Sequence, residues 1–128
     1  MAKSKVLVVD DEVEVRKLFR DFLAHRGYRV FVAEEGAEAL RIVREEAPEL
    51  VLLDIRMPEM DGLEALARIK AMRPETTVVM ISGCATLEIA EESLQKGAYD
   101  YIAKPVDLGH LEDLILMIEA SKAMSNEQ

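Results

Sequence analysis

The stretch Leu-Val-Leu-Leu-Asp at positions 50–54 is a run of four apolar residues that ends directly in a carboxylate. A continuous apolar run of this length is typical of a strand that is buried on both faces, as in a parallel sheet covered by helices. A carboxylate at the end of such a strand costs free energy unless a cation or hydrogen-bond donors compensate its charge. The stretch therefore predicts a covered parallel sheet with a polar site at one edge.

The rest of the chain repeats this strand pattern and alternates it with helical spacing. Further runs rich in β-branched residues lie at Val6–Val9, Tyr28–Val32, Thr77–Ile81 and Tyr99–Ile102. Apolar residues with helical periodicity predict helices at about 13–26, 36–46, 63–72, 86–96 and 107–122. Five strand–helix units in succession predict an α/β fold, with a five-stranded parallel sheet doubly wound by five helices. Functional residues of such sheets lie beyond the carboxyl ends of the strands.

Composition and charge limit the classes of function that fit the chain. It has 128 residues and a formal net charge of -9, which repels nucleic acid and anionic membranes. We therefore expect no direct nucleic-acid binding and no membrane association. The single cysteine, Cys84, excludes an intramolecular disulfide, and the first apolar run is too short for a signal peptide. We expect a cytoplasmic protein with one domain over residues 1–124 and a frayed polar tail at 125–128.

Polar residues follow four of the five predicted strands. Asp10 and Asp11 follow the first strand, Asp54 the third, Ser82 the fourth and Lys104 the fifth. Taken alone, each has an ordinary interpretation: an aspartate could cap the first helix, the serine could close a turn, and the lysine could be a surface residue. Because parallel strands end at the same edge, however, these residues are expected to converge on one pocket.

The combination of these groups favours a phosphoryl-transfer site. Three carboxylates in one pocket raise one another's pKa unless a cation is present, and oxygen ligands suit a hard ion such as Mg²⁺, for which Mn²⁺ is a substitute. Lys104 would add a second positive charge. Such a site can position and neutralise a phosphoryl group, and an aspartate carboxylate is a known covalent nucleophile. The residues predict an aspartyl-phosphate site.

Five ordered motifs carry a family resemblance that extends over essentially the whole chain. They are Val-Val-Asp-Asp-Glu at 8–12, Leu-Leu-Asp-Ile-Arg-Met-Pro at 52–58, Met-Asp-Gly at 60–62, Ile-Ser-Gly at 81–83 and Lys-Pro at 104–105. The chain resembles the receiver domain of two-component response regulators, of the chemotaxis-regulator type. The resemblance implies a flavodoxin-like fold and a signalling switch, not a turnover enzyme. It also implies Mg²⁺-dependent phosphoryl transfer from a sensor histidine kinase or a phosphotransfer protein.

The resemblance further implies a role for individual site residues. Asp54 would be the phosphoacceptor, and Lys104 would pair with a phosphoryl oxygen. The metal would be bound by Asp54, by Asp11 directly, by Asp10 through water and by the main-chain carbonyl of Arg56.

Two further residues and one peptide bond are implied to take part in the switch. Ser82 would be the hydroxyl that moves to the phosphoryl group, and Tyr101 the aromatic side chain that turns inward. The bond between Lys104 and Pro105 is expected to be cis, a state that proline makes accessible. The output surface would then be formed by the fourth helix, the fifth strand and the fifth helix.

Helical spacing suggests which apolar residues belong to that output surface. On the last helix the core stripe consists of Leu108, Leu111, Leu114, Ile115 and Ile118, and Leu116 projects to the opposite side. On the fourth helix the stripe consists of Leu87, Ala90 and Leu94, and Ile89 projects away. Ile89 and Leu116 are therefore candidates for a partner-binding patch. Alternatively, they are isolated exposed apolar residues, which are normal.

The sequence also bears on two other classes of protein and on one mode of dimerisation. A flavin-binding electron carrier would need a phosphate-holding loop after the first strand, where Asp-Asp-Glu at 10–12 would repel a phosphate. A Mg²⁺-dependent aspartyl-phosphate hydrolase would place its nucleophile after the first strand and carry a cap, for which no insertion is long enough. Lys96 and Asp100 match two positions of a dimer network in one transcription-factor subfamily, but its arginine on the last helix is missing. That dimer is not expected.

Overall fold

The fold was analysed in a computed structural model that describes residues 4–57, 59–83 and 86–126, so that Pro58 and Cys84 lie outside the described residues. In these ranges the strands are β1 (Lys5–Val9), β2 (Arg29–Ala33), β3 (Leu50–Asp54), β4 (Thr77–Ser82) and β5 (Asp100–Ala103). The helices are α1 (Val13–His25), α2 (Gly36–Glu46), α3 (Gly62–Met72), α4 (Leu87–Gln95) and α5 (Leu108–Asn126). Helix α5 runs further than predicted, and its last two residues belonged to the predicted frayed tail.

The strands form one parallel sheet in the order β2-β1-β3-β4-β5. The predicted doubly wound α/β fold is thereby confirmed. Every residue of β3 is buried, which agrees with its uninterrupted apolar sequence. The strand order reverses between β1 and β3, so the connections leave these neighbouring strands in opposite directions and open a crevice beyond their carboxyl ends. Asp10 follows β1 and Asp54 ends β3, which places both carboxylates at this crevice.

Two hydrophobic cores cover the two faces of the sheet. Alternate residues of β1 point to opposite faces: Leu7 and Val9 pack with α2 and α3, whereas Val6 and Val8 pack with α1 and α5. On α5 the stripe at Leu111, Leu114, Ile115 and Ile118 is buried, Leu108 is partly buried, and Leu116 is exposed, as the helical spacing predicts. The two cores hold the strand ends rigidly at one edge of the molecule.

The predicted orientation of α4 is wrong. Leu87 and Leu94, expected in the core, are 72% and 51% exposed, whereas Ile89 packs partly against the core. The reason is Ser93, which is fully buried and whose hydroxyl donates a 2.8 Å hydrogen bond to the carbonyl of Ile89. This bond satisfies the hydroxyl inside the core, so a serine occupies a position that apolar periodicity assigned to leucine. Ile89 and Ser93, four residues apart, define the inner face of the helix.

This correction makes a measurable prediction about stability. We expect Leu94→Ala to change the free energy of unfolding by less than about 0.5 kcal/mol, because its exposed side chain leaves no cavity. Ile89→Ala should cost about 1–2 kcal/mol, somewhat below the loss at a fully buried site. Urea unfolding of both variants measures the difference, provided that the free energy of unfolding falls with urea concentration at the same slope in both. A larger loss for Leu94→Ala than for Ile89→Ala would contradict the orientation of the helix.

None of the helices in the described part of the chain has both the length and the apolar character needed to cross a membrane.

Candidate functional site

The strand ends bring the predicted polar residues to one edge of the sheet. In the parallel register, Val9 pairs with Leu53, Asp54 with Ile81, and Ser82 with Ala103. Each polar residue therefore ends a strand or lies within two residues of its end. Together they surround a single open pocket, which is lined by Asp11, Glu12, Asp54, Arg56, Ser82, Gly83 and Lys104. Asp10 is buried beside it and contacts the lysine.

Lys104 is the cation of the pocket that contacts its carboxylates. Its ammonium donates to Oδ2 of Asp10 at 2.8 Å, to Oε1 of Glu12 at 3.3 Å and to Oδ2 of Asp54 at 3.4 Å. Burial acts to lower the pKa of this lysine, but the hydrogen bond and charge of Asp10, with the charge of Asp54, outweigh burial and hold the pKa above its usual value. The side chain is therefore a permanent positive charge beside the end of β3.

Asp54 is a carboxylate that Lys104 compensates only in part. Its side chain is buried, and burial together with the negative charge of Asp10 raises its pKa to about 6. Lys104 and the main-chain N–H of Arg56, which lies 3.3 Å from Oδ1, act in the opposite direction but do not cancel the rise. The site is thus short of positive charge, which is the condition in which a carboxylate cluster attracts a further cation.

The acidic residues after β1 offer oxygen ligands for such a cation. Carboxylate oxygens of Asp10, Asp11 and Glu12 lie within 4.8 Å of one another. Asp10 is buried, whereas the other two side chains are exposed at the mouth of the pocket. An all-oxygen set with access to water fits the ligand preference of Mg²⁺. Glu12 was quoted as part of a motif but was assigned no role, although its position directly after two site carboxylates was a signal for one.

The loop after β3 is shaped by Asp61 and Gly62. The carboxylate of Asp61 accepts a 2.8 Å hydrogen bond from the N–H of Glu64 and so caps α3. A Cβ atom at Gly62 would lie 2.2 Å from the carbonyl oxygen of Asp54, so only glycine permits this close approach of helix and strand. Because Asp61 serves as the cap, the carboxylate of Asp54 is left to the pocket.

The ends of β4 and β5 are joined next to the pocket. The N–H of Lys104 donates a 2.9 Å hydrogen bond to the carbonyl of Ser82, which is fully buried. The bond between Lys104 and Pro105 is cis. Tyr101, on β5, is half-buried and packs against the core that α2 and α3 share. This places the hydroxyl, the lysine and the aromatic residue on two adjacent strands, one of which ends at Ser82 and the other of which leads into Lys104.

A family model described as "Response regulator receiver domain" matches residues 6–116. The chain belongs to the response regulator receiver domain family. It is therefore a signalling domain of the two-component type, and this membership favours the receiver over the flavin carrier and the hydrolase that were considered as alternatives.

The relatives of this chain differ in the share of their length that matches it. Sporulation initiation phosphotransferase F of Bacillus subtilis (strain 168) is 37% identical over 115 residues, which are 90% of this chain and 93% of that protein. Regulatory protein AtoC of Escherichia coli (strain K12) is 36% identical over 98% of this chain, but the match spans only 27% of AtoC. The receiver domain thus matches nearly all of one relative and about a quarter of the other.

A solved structure supports the same relationship. CheY of Borrelia burgdorferi, crystallised in a CheX–CheY–BeF₃–Mg²⁺ complex, superposes with a TM-score of 0.87 at 29% identity, over 91% of this chain and 90% of that one. The fold of this chain therefore has a counterpart in a solved structure.

Proposed function

We propose that this receiver domain accepts a phosphoryl group on Asp54 from a phosphohistidine of a sensor histidine kinase or phosphotransfer protein. The observation that carries the proposal is a buried carboxylate at the end of β3, which faces an open pocket and lies 3.4 Å from the ammonium of Lys104. Phosphoryl transfer depends mainly on positioning and on neutralising the oxygens of the transferred group. Lys104 supplies one positive charge for that purpose.

The proposed reaction is a displacement at phosphorus. An oxygen of Asp54 forms a bond to the phosphorus while the bond between phosphorus and the donor imidazole nitrogen breaks. The electron pair stays on that nitrogen, which is protonated from solvent. In the separate dephosphorylation step, an oxygen of water forms a bond to the phosphorus while the bond between phosphorus and Asp54 breaks, so that inorganic phosphate leaves, a proton passes to solvent and the carboxylate is restored. The domain would thus promote its own phosphorylation and dephosphorylation without turning over a metabolite.

Mg²⁺ is the cofactor that the donor set favours, with Mn²⁺ as a substitute. Asp11 and Asp54 would bind the ion directly, Asp10 through water, and Arg56 with its main-chain carbonyl. When bound, the ion would neutralise charge on the phosphoryl oxygens. Two observations support this assignment: the raised pKa of Asp54, caused mainly by burial and by Asp10, and the Mg²⁺ in the complex of the Borrelia relative.

The switch is proposed to run from Asp54 through Ser82 and Tyr101. Ser82 lines the same pocket as the acceptor, and Tyr101 lies on the neighbouring strand, half-buried against the core that α2 and α3 share. Phosphorylation would draw both side chains inward. It would thereby shift the equilibrium between an inactive and an active conformation of the surface formed by α4, β5 and α5. Leu116, which is 54% exposed, remains a candidate for this output surface, whereas Ile89 packs inward.

Leu116→Ser should then weaken binding of the phosphorylated form to its partner, measured by titration calorimetry.

The proposal also concerns where the domain works. A phosphohistidine donor is made from ATP, so we place the receiver domain in the cytoplasm. The net charge of -9 agrees with a domain that does not itself bind nucleic acid or an anionic membrane.

Intact-mass measurement tests the proposed acceptor. The chain is incubated with acetyl phosphate or phosphoramidate and Mg²⁺, and in parallel with a phosphorylated histidine kinase. We expect one phosphoryl adduct that is removed by hydroxylamine, requires the metal and is missing in Asp54→Asn. An equal, hydroxylamine-sensitive adduct in Asp54→Asn would place the acceptor elsewhere, and no adduct with either kind of donor would refute phosphoryl transfer to this chain.

A further inference from the structure

The three N–H groups of Lys104 are matched by three carboxylates among the described residues. An ammonium group has three donors and no acceptor, so the contacts with Asp10, Glu12 and Asp54 use its full capacity. A phosphoryl oxygen can therefore gain a hydrogen bond from Lys104 only if one of the present partners gives way. The structure indicates which partner can do so at the lowest cost.

Asp10 is poorly suited to give way. Its side chain is 3% exposed, its Oδ2 forms the shortest of the three contacts at 2.8 Å, and its Oδ1 accepts from the main-chain N–H of Glu12 at 2.9 Å. Withdrawing the lysine from Asp10 would leave a buried carboxylate without its cation, which is costly. Asp54 is itself the proposed acceptor, so the N–H that it now uses passes to the phosphoryl group, and a second hydrogen bond to that group requires a further partner to give way.

Glu12 is well suited to give way. Its side chain is 63% exposed, so water can replace the ammonium when the 3.3 Å contact opens. The carboxylate is also not engaged in capping: Glu12 is the N-cap residue of α1, yet its side chain makes no capping hydrogen bond. Glutamate at this position thus extends to the lysine instead of folding back onto the helix.

We propose that Glu12 is a positioning residue that holds the ammonium of Lys104 in the resting site and releases it to the phosphoryl group. The inference rests on the proposed function of Asp54 as acceptor. Because the contact stabilises only the resting site, its loss lowers the barrier for phosphorylation. The strength of an exposed ion pair sets the size of the effect, at about 2- to 5-fold in rate.

Rates of phosphorylation by acetyl phosphate at saturating Mg²⁺ test this role in three variants. Glu12→Gln removes the charge, and Glu12→Asp keeps the charge but shortens its reach, so both should react about 2- to 5-fold faster than the wild type. Glu14→Gln, also exposed and in the first turn of α1, is the matched control for loss of one negative charge. It should change the rate less than either Glu12 variant does, because its carboxylate has no contact with Lys104 among the described hydrogen bonds.

A second readout follows the ammonium group directly. In nitrogen-15 NMR of the metal-free chain, the signal assigned by its loss in Lys104→Met should show faster hydrogen exchange with water in both Glu12 variants, and unchanged exchange in Glu14→Gln. Unchanged exchange and unchanged rates in the Glu12 variants would overturn the proposal, as would slower phosphorylation, which is expected if Glu12 served the metal. If the wild-type chain forms no adduct, the acceptor role of Asp54 fails, and the release of Lys104 fails with it. If it forms one, these comparisons test Glu12 alone.

Discussion

Lys104→Met should slow the phosphorylation of Asp54 by acetyl phosphate by about 100-fold, the loss typical of removing one transition-state charge donor. The ammonium lies 3.4 Å from Oδ2 of Asp54 and is held as a cation by the neighbouring carboxylates. Methionine keeps the length of the side chain but removes its charge, so negative charge that builds up on the phosphoryl oxygens would lose a partner. The rate is measured by intact mass as a time course at saturating Mg²⁺.

Two further variants separate this role from general effects. Lys96→Met removes an exposed lysine of α4's C-terminal end that pairs with Glu92, and it should leave the rate within about 2-fold. Lys104→Arg retains the charge with a different shape and should restore part of the rate. Circular dichroism must show that each variant is folded, because Lys104→Met leaves two buried carboxylates without their ammonium. A folded Lys104→Met variant that reacts at nearly the wild-type rate would remove the lysine from the proposed reaction.

The sequence was sufficient to predict the fold and the meeting of the site residues. Asp54 was recognised as a site residue because a carboxylate at the end of a buried apolar strand costs free energy and does not stabilise the fold. It was also not needed as a helix cap, since Asp61 caps the next helix. The parallel topology then required the ends of β1, β3, β4 and β5 to share one edge. The first inference depends on where an apolar run ends and the second on the parallel direction of the strands, and the alternation of apolar runs with helical spacing indicates both.

Side-chain contacts were less accessible to the same reasoning. The orientation of α4 was mispredicted because apolar periodicity cannot register that Ser93 satisfies its hydroxyl on the carbonyl of Ile89. The contact between Glu12 and Lys104 was missed because it depends on the Glu12 side chain extending to the lysine instead of capping α1. Both cases depend on individual hydrogen bonds, which residue type and spacing do not determine.

Asp54→Asn should raise the free energy of unfolding of the metal-free chain by about 1–3 kcal/mol at pH near 7.5. Burial and the charge of Asp10 raise the pKa of Asp54 from its ordinary 3.8 to about 6 in the folded chain. Each tenfold difference in acidity corresponds to about 1.4 kcal/mol, which sets the upper part of this range. Asparagine has nearly the same shape but no charge, so the repulsion with Asp10 disappears.

The pH dependence gives this prediction its sign. Below the ordinary pKa of 3.8 the carboxyl is protonated in both the folded and the unfolded chain, and Asp54 does not penalise folding. Between pH 3.8 and about 6 the unfolded chain ionises Asp54 while the folded chain keeps the proton, so stability falls, and the loss is complete above about 6. The advantage of Asp54→Asn should therefore be small near pH 4 and full above pH 7. Urea unfolding across this interval measures it, with the exposed Asp113→Asn as the matched control.

Added Mg²⁺ should reverse the order of stability that the metal-free chains show. An ion that binds the folded wild type stabilises it in proportion to the logarithm of its concentration above the dissociation constant, and it neutralises the same repulsion that Asp54→Asn removes. The variant has lost one carboxylate of the proposed set and should gain less from the metal. If the metal-free variant is no more stable than the wild type, or if its advantage grows as the pH falls, the carboxylates at the ends of β1 and β3 do not repel each other as their burial implies.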